Sequence, residues 1–283
     1  MTGTVRVRRR SDPDRVVVSD DLGRVATFTT AARTVTVRGP SRTFREATTS
    51  ASVSSTTWVR LLPVPFTGSV DWSWLSARLA DRSPDLLDVA AQYVTGAAVK
   101  TDATGLRYAG DASYGPVQPD GSRQEGSDFN DYLGVPWTYD STVDRPENAQ
   151  LHALDCSGFV RMVFGYRGGV PLTLRPEEGR LPRRAVHMNA SAPGAVVIAD
   201  RGFVPSRLSM LRPGDLVLFD ASSDDGTDID HVGIYLGRDS SRAPRFVSSR
   251  KTVDGPTMGD VGGRSTLTGT GLYARSWRAA RRL

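Results

Sequence analysis

The residues able to do chemistry are few: a single cysteine, Cys156, and three histidines, His152, His187 and His231. The cysteine opens the stretch Asp155-Cys156-Ser157-Gly158-Phe159-Val160, and Met162, Val163, Phe164 and Tyr166 follow it. Apolar positions therefore cover nearly the whole circumference of a helix, with Arg161 the one charged interruption, and the segment is expected to be buried. Asp155 or Ser157 is suited to cap its first turn. A thiol at that end faces unpaired backbone N–H groups and the positive end of the helix dipole, which favours thiolate. One cysteine makes no internal disulfide, so Cys156 is either a small core residue or a reactive group.

His231 opens the alternating run His231-Val232-Gly233-Ile234-Tyr235-Leu236-Gly237. In a strand, Val232, Ile234 and Leu236 share one face, and His231 points away from it. Arg212-Pro213-Gly214-Asp215 ahead of Leu216-Val217-Leu218-Phe219 predicts a turn feeding a strand buried on both faces, with a polar acidic loop from Asp220 to Asp230 after it. The run Arg245-Phe246-Val247-Ser248-Ser249 is expected to return as the antiparallel partner of the His231 strand, bringing Ser248 or Ser249 beside the imidazole. His152 belongs to the loop entering the Cys156 helix, and His187 to an irregular excursion over 170–210 that contains a helix. Asp228, Asp230 and His231 lack a second histidine at ligand spacing and paired cysteines, so no metal is expected. The glycines of 255–271 lack the flanking strand and helix of a phosphate-binding loop, and no cofactor is expected.

The elements that must position these groups are unevenly legible. Val- and Thr-rich alternation from Arg15 to about Pro65 (Arg15–Val18, Arg24–Thr29, Thr34–Val37, Trp58–Leu62), broken by Asp20-Asp21 and Gly39-Pro40, predicts a small antiparallel β region. Two short helices are expected over Trp72–Leu79 and Pro84–Val94, with Trp72 and Trp74 packing one of them on the sheet. Residues 95–128 are rich in Gly, Asp, Ser and Pro without a period and are expected to form a long surface insertion. Leu272–Trp277 is expected as a last strand, followed by a basic tail.

With 283 residues the chain has capacity for one large or two modest cored domains. No apolar run is long enough to span a membrane. The basic start, Met1 to Arg10, leads into Ser11-Asp12-Pro13-Asp14 where an export signal needs an apolar stretch, so no signal peptide is expected here. The net charge of +5 rests on 34 arginines and two lysines. It suits an anionic partner such as an envelope polymer, but it is scattered and lacks the aromatic-basic motifs of nucleic-acid modules, so nucleic acid is not an expected partner.

Four segments in one order, Gly134-Val135-Pro136-Trp137 before the cysteine, Asp155-Cys156-Ser157-Gly158-Phe159-Val160, Pro213-Gly214-Asp215-Leu216-Val217-Leu218-Phe219 and His231-Val232-Gly233-Ile234-Tyr235-Leu236-Gly237, together resemble the NlpC/P60 family of bacterial cell-wall cysteine peptidases. The resemblance covers roughly residues 129–283. It implies an α+β, papain-like fold, in which a helix carrying the nucleophile packs on an antiparallel sheet carrying the base, over 81–283. Residues 1–80 then form a smaller β-rich accessory domain. It also implies hydrolysis of amide bonds in peptidoglycan stem peptides, often between D-glutamate and a diamino acid, in an extracytoplasmic setting. Cys156 fits the nucleophile and His231 the base. The family's third polar residue, commonly His, Asn or Gln, corresponds here to Ser248, which orients an imidazole more weakly than a carboxamide. The upstream tyrosine that donates to the oxyanion corresponds to Trp137, with Tyr139 two residues on, and the Cys156 backbone N–H is the second donor. Asp155 and Ser157 flank this substrate region. Two rival readings fit the same residues: a thiol amidase or acyltransferase on the same fold, and a non-catalytic wall-binding protein.

Overall fold

Alternation at the N-terminal end builds a five-stranded antiparallel meander in chain order: β1 (Arg6–Arg10), β2 (Arg15–Asp20), β3 (Gly23–Thr29), β4 (Thr34–Phe44) and β5 (Val53–Leu61). The computed structural model describes residues 4–223 and 226–283. The first three residues of the basic start, and Asp224 and Asp225 of the predicted acidic loop, lie outside the described residues. One face of the meander packs Val16, Val18, Phe28, Val35, Val37 and Trp58 into a core of its own. Helix α1 (Trp72–Ala80), capped by the Asp71 carboxylate on Trp74 N, covers that core with Leu75 and with Trp74, which lies edge-on to Phe28. Trp72 is exposed. The opposite face contributes Phe44, Val53 and Val59 to the principal core, so adjacent residues Trp58 and Val59 serve two different cores, as the period of a strand requires.

Helix α2 (Leu86–Ala91) starts in a capping box made by Asp85 and Asp88, and the buried Asp85 also accepts from Val59 N and pairs with Arg42. A small hairpin follows, β6 (Lys100–Thr101) with β7 (Arg107–Ala109), and then an irregular stretch to α3 (Phe129–Leu133). Gly134 ends α3 in the left-handed conformation (φ 69°), and β8 (Trp137–Tyr139) pairs with β9 (Thr142–Asp144).

The cysteine helix α4 (Cys156–Val160) continues as a π-helical turn over Arg161–Tyr166, and its residues Phe159, Val160, Met162, Val163 and Phe164 are fully buried. Arg161 is buried as well. Its charge is compensated by Asp128 at 2.9 Å, and it donates to the carbonyls of Thr173 and Leu181 and to the Tyr139 hydroxyl. After α5 (Ala185–Ser191) and β10 (Ala195–Ile198) come β11 (Leu216–Phe219), β12 (His231–Arg238), β13 (Pro244–Arg250), β14 (Gly255–Thr257), α6 (Leu272–Ser276) and β15 (Trp277–Arg282). They form a six-stranded antiparallel sheet in the order β10-β15-β11-β12-β13-β14. Val232, Ile234 and Leu236 of β12 face α4, and Tyr235 faces a third core with Phe219, Phe246, Tyr273 and Trp277. The architecture is α+β.

Three expectations are corrected. The expected strand over Leu272–Trp277 is the short helix α6, and the expected basic tail is β15, an interior strand between β10 and β11. Its arginines are tolerated there because Arg278 and Arg282 are paired with carboxylates and Arg281 finds carbonyl acceptors. Arg282 is bonded to both Asp215 carboxylate oxygens (2.7 and 2.8 Å) and to Thr29 Oγ, and Arg281 donates to the carbonyls of Asn189 and Ala192. Nor is the 95–128 stretch a surface insertion throughout. Ala109, Ala112, Tyr114 and Ser127 are buried. Ser113 and Ser127 exchange backbone hydrogen bonds with His152, Leu154 and Asp155, directly ahead of the cysteine.

Candidate active site

The Cys156 helix start is held from the front by that irregular stretch and from behind by β12 and β13. Asp155 caps α4 through Gly158 N (2.7 Å) and also accepts from Gly126 N (3.0 Å). Gly158 lies so close to the 127 backbone that a Cβ would meet Ser127 O at 2.1 Å, so only glycine fits there. Cys156 is 7% exposed. Its Sγ lies 3.8 Å from the carbonyl of Asp230, to which it donates.

His231 opens β12 and is 8% exposed. Its ring lies 5.1 Å from that of Tyr273 and 5.7 Å from that of Phe219, and its Nε2 is 3.0 Å from Ser248 Oγ on β13. The neighbouring Ser249 turns to the opposite face and donates to Leu154 O, so strand alternation selects Ser248 from the two serines. Cys156 and His231 line one cleft of about 810 Å³, together with Tyr114, Asp155, Ser157 and Arg183. Glu125 and Lys251, also in its lining, form an exposed ion pair (2.7 Å).

The electrostatics run against the expectation from the helix terminus. Burial first, and the Asp155 carboxylate second, push the Cys156 thiol up, away from thiolate. Burial first, and Arg250 second, take the His231 imidazole down to about 3. Both groups rest neutral.

Asp155 and Ser157 line the cleft, but their polar atoms are engaged. Arg183 donates to Asp155 (2.7 and 3.1 Å) and to Ser157 Oγ (2.6 Å). Burial acts to raise the Asp155 carboxyl, but Arg183, with the Gly158 and Gly126 N–H groups, more than offsets it, so Asp155 stays ionised. Trp137 and Tyr139 do not line the cleft. Trp137 packs edge-on against Phe129 and Tyr166 (5.0 and 6.0 Å), and the Tyr139 hydroxyl is taken by Arg161. Two other tyrosines line the cleft: Tyr273, against the His231 ring, and Tyr114, 4% exposed, whose hydroxyl is pushed up by burial first and by Cys156 next. His152, set against the Tyr132 ring, and His187, on α5, are not part of the cleft lining.

Tyr114, Arg183 and Arg250 escaped sequence reasoning. The first two fall in stretches without a period. Arg250 carried a signal, since alternation puts it on the same face of β13 as Ser248. Among the described residues no group of three or more His, Cys, Asp or Glu side chains is placed to hold a metal ion, and no helix is long and apolar enough to cross a membrane.

The helix that opens at Cys156 is thus laid on the antiparallel sheet that carries His231. The NlpC/P60 family model matches residues 134–243, and the chain carries an NlpC/P60 domain there. Among solved structures, a lipoprotein-like protein of the NLP/P60 family from Staphylococcus aureus subsp. aureus Mu50 is similar at 18% identity, over 74% of this chain and 47% of that one, with a TM-score of 0.31. NlpC2 from Trichomonas vaginalis is similar at 12% identity, over 99% of this chain and 94% of that one, with a TM-score of 0.34. The chain thus spans about half the length of the staphylococcal protein. A comparison with curated proteins finds no match.

Proposed function

We propose that the chain is a cysteine endopeptidase with a papain-like catalytic arrangement, hydrolysing amide bonds in peptidoglycan stem peptides, with the D-glutamyl–diamino acid bond as the preferred target. The NlpC/P60 match supports a cell-wall peptidase, and an extracytoplasmic site of action goes with it. The observation that carries the reading is the meeting of Cys156 and His231, from elements 75 residues apart, in one cleft wide enough for a peptide. Cys156 Sγ attacks the scissile carbonyl as His231 takes its proton; the imidazolium then protonates the leaving amine, and water hydrolyses the thioester. Nε2 of His231 is occupied by Ser248, so Nδ1 is the ring nitrogen left for the thiol. In this reading Tyr114 Oη and the Cys156 backbone N–H stabilise the oxyanion, the role first expected of Trp137 and Tyr139. Asp155 and Ser157 keep Arg183 fixed in the cleft wall.

The test is mass spectrometry of purified stem-peptide muropeptides incubated with the protein, beside Cys156→Ala. New fragments from the wild type alone establish the hydrolase and name the bond. Intact peptides with both proteins, each folded by circular dichroism, refute it.

A further inference from the structure

Ser248 is fully buried, and its hydroxyl has two partners: Nε2 of His231 at 3.0 Å and Nε of Arg250 at 3.1 Å. A guanidinium nitrogen only donates, so Ser248 Oγ must accept from Arg250. That leaves one O–H, and among the described residues His231 is the only other partner recorded for it. Arg250 is not free to turn away. It is 2% exposed, it donates to Gly263 O and to Ser265 Oγ (2.5 Å), and it lies over the Tyr273 and Phe246 rings at 4.3 and 5.2 Å.

We infer that Arg250 is a positioning residue that commits the Ser248 hydroxyl to donate to Nε2 of His231, so that the resting imidazole carries its proton on Nδ1 and the Cys156–His231 pair rests in a latent, neutral form. The inference rests on the reading above only in taking these two residues as the reacting pair. Its consequence is chemical. An Nδ1 that bears hydrogen cannot take the thiol proton. To become competent, His231 must move its proton to Nε2 and direct it at Ser248 Oγ. Oγ then accepts from two donors while its own hydrogen loses its acceptor in a buried site, an unfavourable exchange. The imidazolium meets the same obstacle, with the Arg250 charge added. A carboxamide in place of Ser248 would accept from Nε2–H without that conflict, so Ser248 with Arg250 behind it reverses the polarity of the third position. The charged and titratable groups that share the cleft with His231 are Cys156 and Asp155 at α4, Arg250 on β13, Tyr273 on α6, Asp228 and Asp230 before β12, Tyr114, Arg183, Arg184 and the Glu125–Lys251 pair. Of these, Arg250 is the cation tied to the imidazole through one hydroxyl.

Two measurements test this. The first uses the wild-type protein: long-range proton–nitrogen NMR of uniformly labelled protein, with His152→Gln and His187→Gln to assign His231. The expected spectrum shows a protonated Nδ1 and a bare Nε2; a bare Nδ1 overturns the inference. The second follows alkylation of Cys156 by iodoacetamide between pH 5 and 9, which needs no substrate. Arg250→Gln replaces the donor by a neutral amide whose oxygen can accept from Ser248, and it is expected to raise the rate at pH 7 by about tenfold, the factor for one pKa unit. Arg250→Lys keeps charge and donor and is expected to match the wild type. Equal rates for folded Arg250→Gln and wild type overturn the proposal, as does Arg250→Lys behaving like Arg250→Gln. If neither the wild type nor folded Arg250→Gln cleaves any muropeptide while the tautomer and alkylation pattern are as expected, the peptidase is refuted and this inference stands.

Discussion

Tyr114 is the side chain on which the oxyanion assignment turns, because Trp137 and Tyr139 are engaged elsewhere by Phe129, Tyr166 and Arg161. Tyr114→Phe removes one hydroxyl from the cleft wall and little packing. Loss of one preorganised donor is expected to lower kcat by about 10²-fold with KM little changed, measured on a muropeptide that the wild type cleaves; an unchanged kcat removes Tyr114 from the mechanism. His231 also sets a stability slope. Its pKa falls from 6.5 in the unfolded chain to about 3 when folded. Between those values the unfolded state binds the extra proton, so this residue leaves stability intact above pH 6.5 and erodes it as pH falls toward 3. The slope is at most about 1.4 kcal/mol per pH unit. Urea unfolding at pH 7 and pH 5 is expected to show a smaller acid loss in His231→Gln than in the wild type.

At the scale of elements, the cysteine helix keeps its place through polar contacts inside an apolar core. Arg161, the charged interruption in α4's apolar run, ties the segment to Asp128 at the α3 cap and to the 173–181 stretch. Breaking a buried pair by removing one partner leaves the other charge uncompensated, so Arg161→Met is expected to cost about 3–5 kcal/mol, read from the midpoint of denaturant unfolding. Asp128→Asn with Arg161→Met should recover part of that loss. A loss within 0.5 kcal/mol for Arg161→Met alone would show that the pair does not anchor α4.

Taken whole, the molecule joins its N-terminal meander to the six-stranded sheet through buried contacts. Glu46 accepts from Thr257 Oγ1 and Met258 N, Thr34 N donates to Leu283 O, and Arg282 of β15 reaches Thr29. Phe44, Val53 and Val59 belong to the same core as Cys156. Removing residues 1–80 uncovers those apolar partners and orphans Arg282, and the truncated chain is expected to aggregate or to lose cooperative unfolding. A soluble, cooperatively folding 81–283 fragment with unaltered Cys156 alkylation would make the meander a mere appendage.

Local periodicity accounts for most of what could be read from the residues alone. A helix that is apolar all round, a strand alternating from His231 and the Val/Thr meander each declare their element and their buried face, and so the places of Cys156 and His231 were legible, with Ser248 or Ser249 beside the imidazole; the family pattern singled out Ser248. The 95–128 and 170–210 stretches have no period, because their backbones are held by contacts with distant chain rather than by their own repeats. Tyr114 and Arg183 therefore entered the cleft only through the tertiary structure. The same holds for β15, whose arginines imitate a solvated tail until Asp215, Thr29 and the 189–192 carbonyls compensate them. Charge state, too, was decided in three dimensions. The helix terminus argued for thiolate, and burial beside Asp155, with Arg250 behind Ser248, made the resting pair neutral.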